Sequence, residues 1–309
     1  MRAVRIHGYG GPEVLTLEEI PRPRRVGEAI LVKVCAAAIN PVDWKLRAGK
    51  IVGYLDYVLP LTLGWDFSGI IEEAGEGESD FKIGDLVYGL RNIGSDGSYA
   101  EYILTKPSEI ASKPASLSHV QAAVVPLAAL TAWQALFEVG RLNAGQTALI
   151  HAGAGGVGTF AVQLAKWKGA RVIATASARN AKFLRELGAD EVIDYTVTKF
   201  EKACSEVDLV LDSVGADTVT RSWQVLKQDG ILISITMIPS AREAQRYGVR
   251  AEFVFVHPDR QQLSILGNLL DSGKLRAIIE KVYSLSEIPQ AHEQIQRGHV
   301  RGKLAVQIA

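Results

Sequence analysis

The stretch Thr147–Ala176, TALIHAGAGGVGTFAVQLAKWKGARVIATA, constrains this chain more than any other. It opens on one short apolar run and closes on another, with five glycines between its ends. Within it, Gly153-Ala154-Gly155-Gly156-Val157-Gly158 fits the pattern G-x-G-x-x-G. On its own the pattern is weak. Placed directly after a strand-like TALIH and at the head of a helical Val157–Lys168, it has the context the chemistry requires. The first glycine permits a tight turn, the next allows close backbone approach to a pyrophosphate, and the last lets helix lie against strand. The helix N-terminus then offers unpaired N–H groups and a positive dipole end to phosphate. The expected occupant of the gap is a dinucleotide.

The surrounding segments agree. RVIATA and EVID read as strands with RNAKFLREL as a helix between them. VDLVLDS, DTVTRSWQVL and GILISI continue as strand, helix and strand, and AEFVFV (251–256) as one more strand. Strict alternation predicts βαβ units and a doubly wound parallel sheet. The first part of the chain, to about Ser118, reads as β-rich, with EAILVKVCAAAI, FSGIIEEAG and GSYAEYILT as strands punctuated by Gly and Pro. That texture predicts a barrel-like β domain. At Ser118 it changes: SHVQ is a capping box, with Ser118 at N-cap and Gln121 at N3. An apolar helix follows, which Pro126 is expected to kink or interrupt. The tail holds an amphipathic helix over about 259–272 and a final strand, GKLAVQI, whose character suggests a return to the N-terminal domain. The expected division is 1–118 plus 259–309 for one domain and 119–258 for the other.

Composition sets outer limits. Lys and Arg number 34, as do Asp and Glu, so the formal charge of zero gives no electrostatic case for nucleic acid or an anionic membrane. No apolar run approaches the ~18 residues of a bilayer span. Cys35 and Cys204 are the two cysteines, too few for a disulfide framework or a cysteine-rich metal site. The expectation is a cytoplasmic protein acting on a small molecule, with no nucleic-acid or membrane partner.

The end of the second strand selects among dinucleotides. An NAD site usually places Asp or Glu there for the ribose 2′-hydroxyl. From Arg171 to Arg185 there is no acidic residue; Ser177, Arg179, Asn180 and Lys182 stand there instead. A phosphate on that hydroxyl would want such donors, which predicts NADP(H) as cofactor. A solvated basic helix face would account for Lys182 and Arg185 equally well.

In order, AAAINPVDWKLR, LTLGWDFSG, KIGDLVYGL, PLAALTAWQAL, HAGAGGVG and VRGKLAV resemble the medium-chain dehydrogenase/reductase superfamily over nearly the whole chain. Within it the chain looks most like the zinc-independent quinone oxidoreductases of the zeta-crystallin type, with NPVDWK and TASARNAKF closest to the alkenal and enone oxidoreductase branch. The resemblance implies a Rossmann domain and a GroES-like catalytic domain, with cofactor and substrate meeting in the cleft between them. It implies NADPH-dependent reduction of quinones or α,β-unsaturated carbonyls and a homodimer formed through the sheet edge at GILISI and AEFVFV.

The zinc enzymes of the superfamily carry a cysteine ligand where this chain has Asn40 and Gly-His-Glu where it has Gly64-Trp65-Asp66. Their four-cysteine structural zinc block has no counterpart, so the chain is expected to need no metal. Residue by residue, the resemblance places Tyr195 at the 2′-phosphate, Lys45 near the nicotinamide ribose, and Thr131 and Asn40 in the cleft. It places Val254 and Phe255 over the nicotinamide, Arg301 and Gly302 at a C-terminal cofactor contact, and Trp65 and Tyr54 as substrate walls. Each also has a plain structural reading: turn residue for Asn40, surface lysine for Lys45, helix residue for Thr131, core strand for Val254 and Phe255. His151 reads as structural. The open alternatives are an enoyl-thioester reductase on the same scaffold and a non-catalytic, crystallin-like nucleotide-binding protein. With no Ser-His-Asp arrangement, no Tyr-x-x-x-Lys pair and no zinc, electron-poor acceptors suit the chain better than unactivated ketones.

Overall fold

Residues 1–53, 57–74 and 80–309 are described by the structure, a computed structural model. In chain order, β1 (Arg2–Ile6), β2 (Thr16–Glu19) and β3 (Ile30–Ile39) lead to α1 (Pro41–Arg47). Then come β4 (Leu61–Thr62), β5 (Asp66–Glu73), β6 (Leu86–Leu90), β7 (Tyr102–Thr105) and β8 (Ile110–Ser112). Next are α2 (His119–Ala123), α3 (Pro126–Trp133), β9 (Thr147–Ile150), α4 (Gly156–Trp167), β10 (Arg171–Ala176), α5 (Ala181–Glu186) and β11 (Glu191–Asp194). They are followed by β12 (Val207–Asp212), α6 (Asp217–Ser222), β13 (Leu226–Ser234), α7 (Ala241–Tyr247) and β14 (Arg250–Phe253). The chain closes with α8 (Arg260–Asp271), β15 (Ile279–Ser284), α9 (Ile288–Arg297) and β16 (Lys303–Gln307).

Contacts divide these elements into two compact units, 1–130 with 257–309, and 131–256. The first holds a three-stranded sheet, β2-β1-β4, and a seven-stranded sheet ordered β15-β16-β3-β5-β6-β8, with β7 also pairing β3. The central strand is β3, ILVKVCAAAI, nearly all of it buried. Register shifts between Leu31 and Val32 and between Val34 and Ala36 bend it, so that it pairs β5 and β7 along one stretch and β16 along another. The final strand does return to this domain, antiparallel to β3 with Leu304 opposite Ile39. Ala38 of β3, Val124 and Ala305 of β16 close a small core over this junction.

The second unit is a six-stranded parallel sheet ordered β11-β10-β9-β12-β13-β14. Its order reverses between β9 and β12, the topological switch point of a doubly wound sheet. Leu149, Ile173, Ile193, Val210 and Leu232, one from each of five successive strands, line a core with Phe200, Val219 and Trp223.

The local signals hold. Ser118 accepts from the Gln121 N–H, and Gln121 Oε1 accepts from the Ser118 N–H, completing the capping box. Pro126 divides the apolar helix into α2 and α3, as its missing N–H and its ring require. A π-helical turn over Gln134–Val139 ends α3. Asp259 caps α8 by accepting from the Gln262 N–H. The strand β15 and helix α9 carry no expectation from sequence; both lie in the tail that completes the first unit.

His151 ends β9 and is structural. Its Nδ1 lies 3.1 Å from Thr175 Oγ1 and its Nε2 3.0 Å from Ser222 Oγ. Ser222 Oγ donates to Thr218 O at 2.6 Å, and Thr175 Oγ1 accepts from the Ala152 N–H. The Thr175 hydroxyl is thus left to donate to Nδ1, which assigns the imidazole proton to Nε2. Burial and the Arg221 charge push this histidine down to about 3. Such a group is neutral in the native chain and gains its proton only on unfolding. Below the ordinary value of 6.5, the unfolded chain therefore binds more protons and stability falls as pH drops. Asp43, raised by burial to about 7, works in the opposite direction, so the contribution is read by difference. Replacing His151 with Gln should remove a slope of about 1.4 kcal/mol per pH unit between pH ~6 and ~4. Urea unfolding of parent and variant across that range measures it, and parallel profiles would exclude the assignment.

Candidate functional site

At the carboxyl end of β9 the chain turns through Ala152, which has φ 50°, into the glycine run. The Gly153 N–H donates to Thr175 O at 3.0 Å. Two of the glycines are sterically required. A Cβ on Gly158 would lie 2.3 Å from Ala152 O, and one on Gly153 would lie 2.9 Å from the Ala174 Cβ on β10. Gly155 differs: the nearest atom to its added Cβ is Ala152 O at 3.3 Å, so its outward side is open. Gly155 is the N-cap of α4, with no side chain capping the helix. The N–H groups of Gly156, Val157 and Gly158 thus head a twelve-residue helix at the switch point, a cradle that suits a diphosphate.

The neighbouring strand ends frame this loop. Asp212, at the end of β12, is buried and accepts from the Gly215 N–H at 2.8 Å, with Ser234 Oγ and Thr236 Oγ1 each at 3.4 Å. Ser213 Oγ donates to His151 O at 3.0 Å. These bonds tie the loops after β9, β12 and β13 together, and sequence reasoning did not single out Asp212. At the end of β10, Ser177 is half-buried and precedes a 3₁₀ turn over Ala178–Asn180, in which Arg179 is exposed and Asn180 buried. Tyr195, just past β11, is half-exposed, and its N–H donates to Ala176 O. Lys182 lies 4.0 Å from Glu186 on the solvated face of α5, as the plain reading has it. One acid does stand beside this rim. Asp194 ends β11 opposite Ala176, but its carboxylate is held low by bonds from Thr196 and the Ala178 N–H. Val254 is buried, with its N–H donating to Ser234 O, and Phe255 is half-exposed.

In the first unit, Asn40 is the N-cap of α1 and is buried. Its N–H donates to Asp43 Oδ2 at 2.7 Å, and its Nδ2 to Asp66 Oδ2 at 2.9 Å. Its Oδ1 accepts from Lys303 Nζ, which also reaches Ile39 O at 3.3 Å and Asp66 Oδ2 at 3.4 Å. Asp66 Oδ1 in turn accepts from the Leu127 N–H at 2.6 Å. Burial raises the Asp66 carboxyl, while Lys303 and these donors oppose the rise. Lys45 is half-buried on α1, and burial followed by the nearby Lys50 lowers its ammonium. Trp65 has no exposed surface, and its Nε1 donates to Ser95 O at 3.0 Å. Thr131 is buried, Arg301 is exposed with its N–H on Glu280 Oε2, and Gly302 is buried beside Lys303. Tyr54 lies outside the described residues.

Asn40, Asp66 and Lys303 thus form one buried polar cluster. Both Asp66 oxygens are engaged, and among the described residues no three His, Cys, Asp or Glu side chains converge. This donor set does not fit zinc. Sequence reasoning did not single out Lys303 within GKLAVQI; its acidic partner lies 237 residues away.

Two family models match: residues 27–115 match the alcohol dehydrogenase GroES-like domain, and 187–306 the family described as zinc-binding dehydrogenase. The mitochondrial NAD(P)H oxidoreductase RTN4IP1 of Mus musculus is 34% identical, over 98% of this chain and 88% of the relative. The chloroplastic NADPH-dependent alkenal/one oxidoreductase of Arabidopsis thaliana is also 34% identical, over 99% and 79%. The quinone oxidoreductase from Coxiella burnetii superposes with a TM-score of 0.93 at 39% identity, covering 100% of this chain and 99% of its own. The Escherichia coli quinone oxidoreductase, solved with NADPH, gives 0.91 at 28% identity, covering 99% and 100%. With its glycine cradle, its buried Asn40–Asp66–Lys303 cluster and this set of relatives, the chain belongs to the medium-chain dehydrogenase/reductase superfamily, among the quinone and alkenal oxidoreductases.

Proposed function

We propose that this chain is an NADPH-dependent reductase of quinones and α,β-unsaturated carbonyls. The observation that carries the reading is the open helix N-terminus at Gly155–Gly158, followed at the next strand end by Ser177 and Arg179 rather than an acid. The backbone N–H groups heading α4 hold the diphosphate by hydrogen bonds and the helix dipole. Ser177, Arg179, Asn180 and Tyr195 receive the 2′-phosphate, while Asp194 is engaged by Thr196 and the Ala178 N–H. Val254, Phe255, Arg301 and Gly302 complete the cofactor contacts.

Bound NADPH supplies the hydride. The chain's own residues orient and exclude water. Lys303 and Asp66 fix the Asn40 amide, leaving one Nδ2 hydrogen to direct at a substrate oxygen. Lys45, its ammonium lowered by burial, and Thr131 add further donors. Such neutral or weakly polarising donors suffice for acceptors that are already electron-poor, and the completing proton comes from solvent. The relatives named for quinone and alkenal reduction support the same acceptor class. The edge strand β14, with Phe253 exposed at its end, supports a homodimer.

Three measurements test this reading. Arg179→Ala should weaken NADPH binding roughly tenfold to a hundredfold, the equivalent of about 1.5–3 kcal/mol, and leave NADH nearly unchanged. Equal weakening of both would move the 2′-phosphate elsewhere. In an NADPH-oxidation screen, quinones, enals and enones should turn over, chelation should leave the rates intact, and ethanol or secondary alcohols should not reduce NADP⁺. Robust alcohol oxidation, or preference for enoyl thioesters, would replace the assignment. Light scattering at micromolar concentration should return twice the chain mass of 33.4 kDa; a single-chain mass would remove the dimer.

A further inference from the structure

Helices α1 and α9 face each other inside the first unit through side chains one turn apart. Asp43 and Arg47 stand on α1, His292 and Gln296 on α9. Among the described residues the direct hydrogen bond across this face is Arg47 Nη2 to Gln296 Oε1, at 2.8 Å. Asp43, Arg47 and His292 have no exposed surface. Yet Asp43 Oδ1, Arg47 Nε and Nη1, and both ring nitrogens of His292 have no hydrogen-bond partner among the described residues. Five such atoms in one place are far more than a native interior leaves unmatched.

The five belong together. Tyr99 donates to Asp43 Oδ2 at 2.6 Å and sets its ring edge-on to His292, with centroids 5.8 Å apart. The Arg47 charge acts on both Tyr99 and His292. Asp43 and Arg47 are spaced i,i+4 on one helix, the usual geometry for an ion pair, but form no direct one. Glu13, the carboxylate whose charge acts on Arg47, accepts from the Gly11 N–H with its Oε1.

We propose that Asp43, Arg47 and His292 enclose a site for internal water, which bridges the Asp43 carboxylate to the Arg47 guanidinium and seats His292 between them. The lining identifies the occupant. Arg47 offers N–H donors, Asp43 Oδ1 is an acceptor, and a neutral imidazole presents one of each. Water matches that mixture because it donates and accepts. An anion has no hydrogen to donate to Asp43 Oδ1, and a cation would face Arg47. The bridge joins α9, which leads into Lys303, to α1, whose N-cap is Asn40. It therefore positions both partners of the Asp66 cluster, Asn40 through the Asp43 carboxylate that accepts its N–H and Lys303 through the chain that follows α9.

A crystal structure of the full chain, at a resolution that orders internal solvent, tests the site. Solvent peaks are expected within about 2.7–3.2 Å of Asp43 Oδ1, of Arg47 Nε or Nη1, and of a His292 nitrogen. Arg47 paired directly with Asp43 or Glu13, His292 donating to the Tyr99 ring with no peak between, or an anomalous peak after a bromide soak would each overturn it. Two variants add an independent readout. His292→Gln keeps one donor and one acceptor and should melt close to the parent with the peaks retained. His292→Phe removes both and should melt lower by at least about 4 °C. Equal melting of His292→Phe and the parent would overturn the proposal. If His292→Phe does not fold, the peaks in the parent and in His292→Gln decide.

Discussion

A single carboxylate, Asp66, holds four separate parts of the first unit in register. It sits on β5 and takes hydrogen bonds from Asn40 at the head of α1, Lys303 at the start of β16 and the Leu127 N–H at the start of α3. Removing two charges from water is expensive, and a buried pair compensates only when every lone pair and proton finds a partner. Here both carboxylate oxygens accept, and the ammonium reaches three oxygens. Loss of either charge would leave the other uncompensated, at about 3–5 kcal/mol. That asymmetry makes the cluster a specifier of geometry more than a source of net stability, and it holds an amide at the N-cap of α1 in one orientation.

The second unit relies on a different device. Its cradle is made from backbone, and side chains act chiefly to keep that backbone in place. Thr175 holds Ala152 and Gly153, His151 links Thr175 to Ser222, and Asp212 gathers the loops beyond β12 and β13. The chain thus has two polar centres, one of aligned N–H groups suited to phosphate and one of a locked amide. The division fits a reaction in which a diffusible cofactor carries the hard chemistry and the protein supplies orientation.

Much of this was legible in the sequence wherever the signal is local or periodic. Alternating strand and helix segments marked the parallel sheet, Ser118 and Gln121 announced a capping box, and the glycines marked the tight turn between β9 and α4. The tail shows where local reading stops. The helix α9, IPQAHEQIQR, is polar in composition, yet Ile288, Ala291 and Ile295 share one face at helical spacing, a short signal that was passed over, while β15 is mostly exposed and offers little apolar pattern. The polar clusters were illegible for another reason: Asn40 with Lys303, or Arg47 with Gln296, are pairs separated by 263 and 249 residues. No spacing rule links such positions. Asn40 itself was readable as a turn residue before Pro41, but not as an amide engaged at both ends. Trp65, read as a substrate wall, stands just before β5 with no exposed surface, its Nε1 donating to Ser95 O.

The unit built from 131–256 is contiguous, whereas its companion is assembled from 1–130 and 257–309. During synthesis this inverts the usual order, in which the N-terminal domain folds first. The inserted unit has all its strands as soon as β14 leaves the ribosome. The host must wait, because β16 lies between β15 and β3 in its large sheet and carries the ammonium that neutralises Asp66. Until that strand emerges, the earlier segment holds a buried acid without its base and a central strand with an open flank. The nascent first 130 residues are therefore the stretch of this chain most dependent on chaperone protection, while the nucleotide-binding half closes ahead of the domain that precedes it.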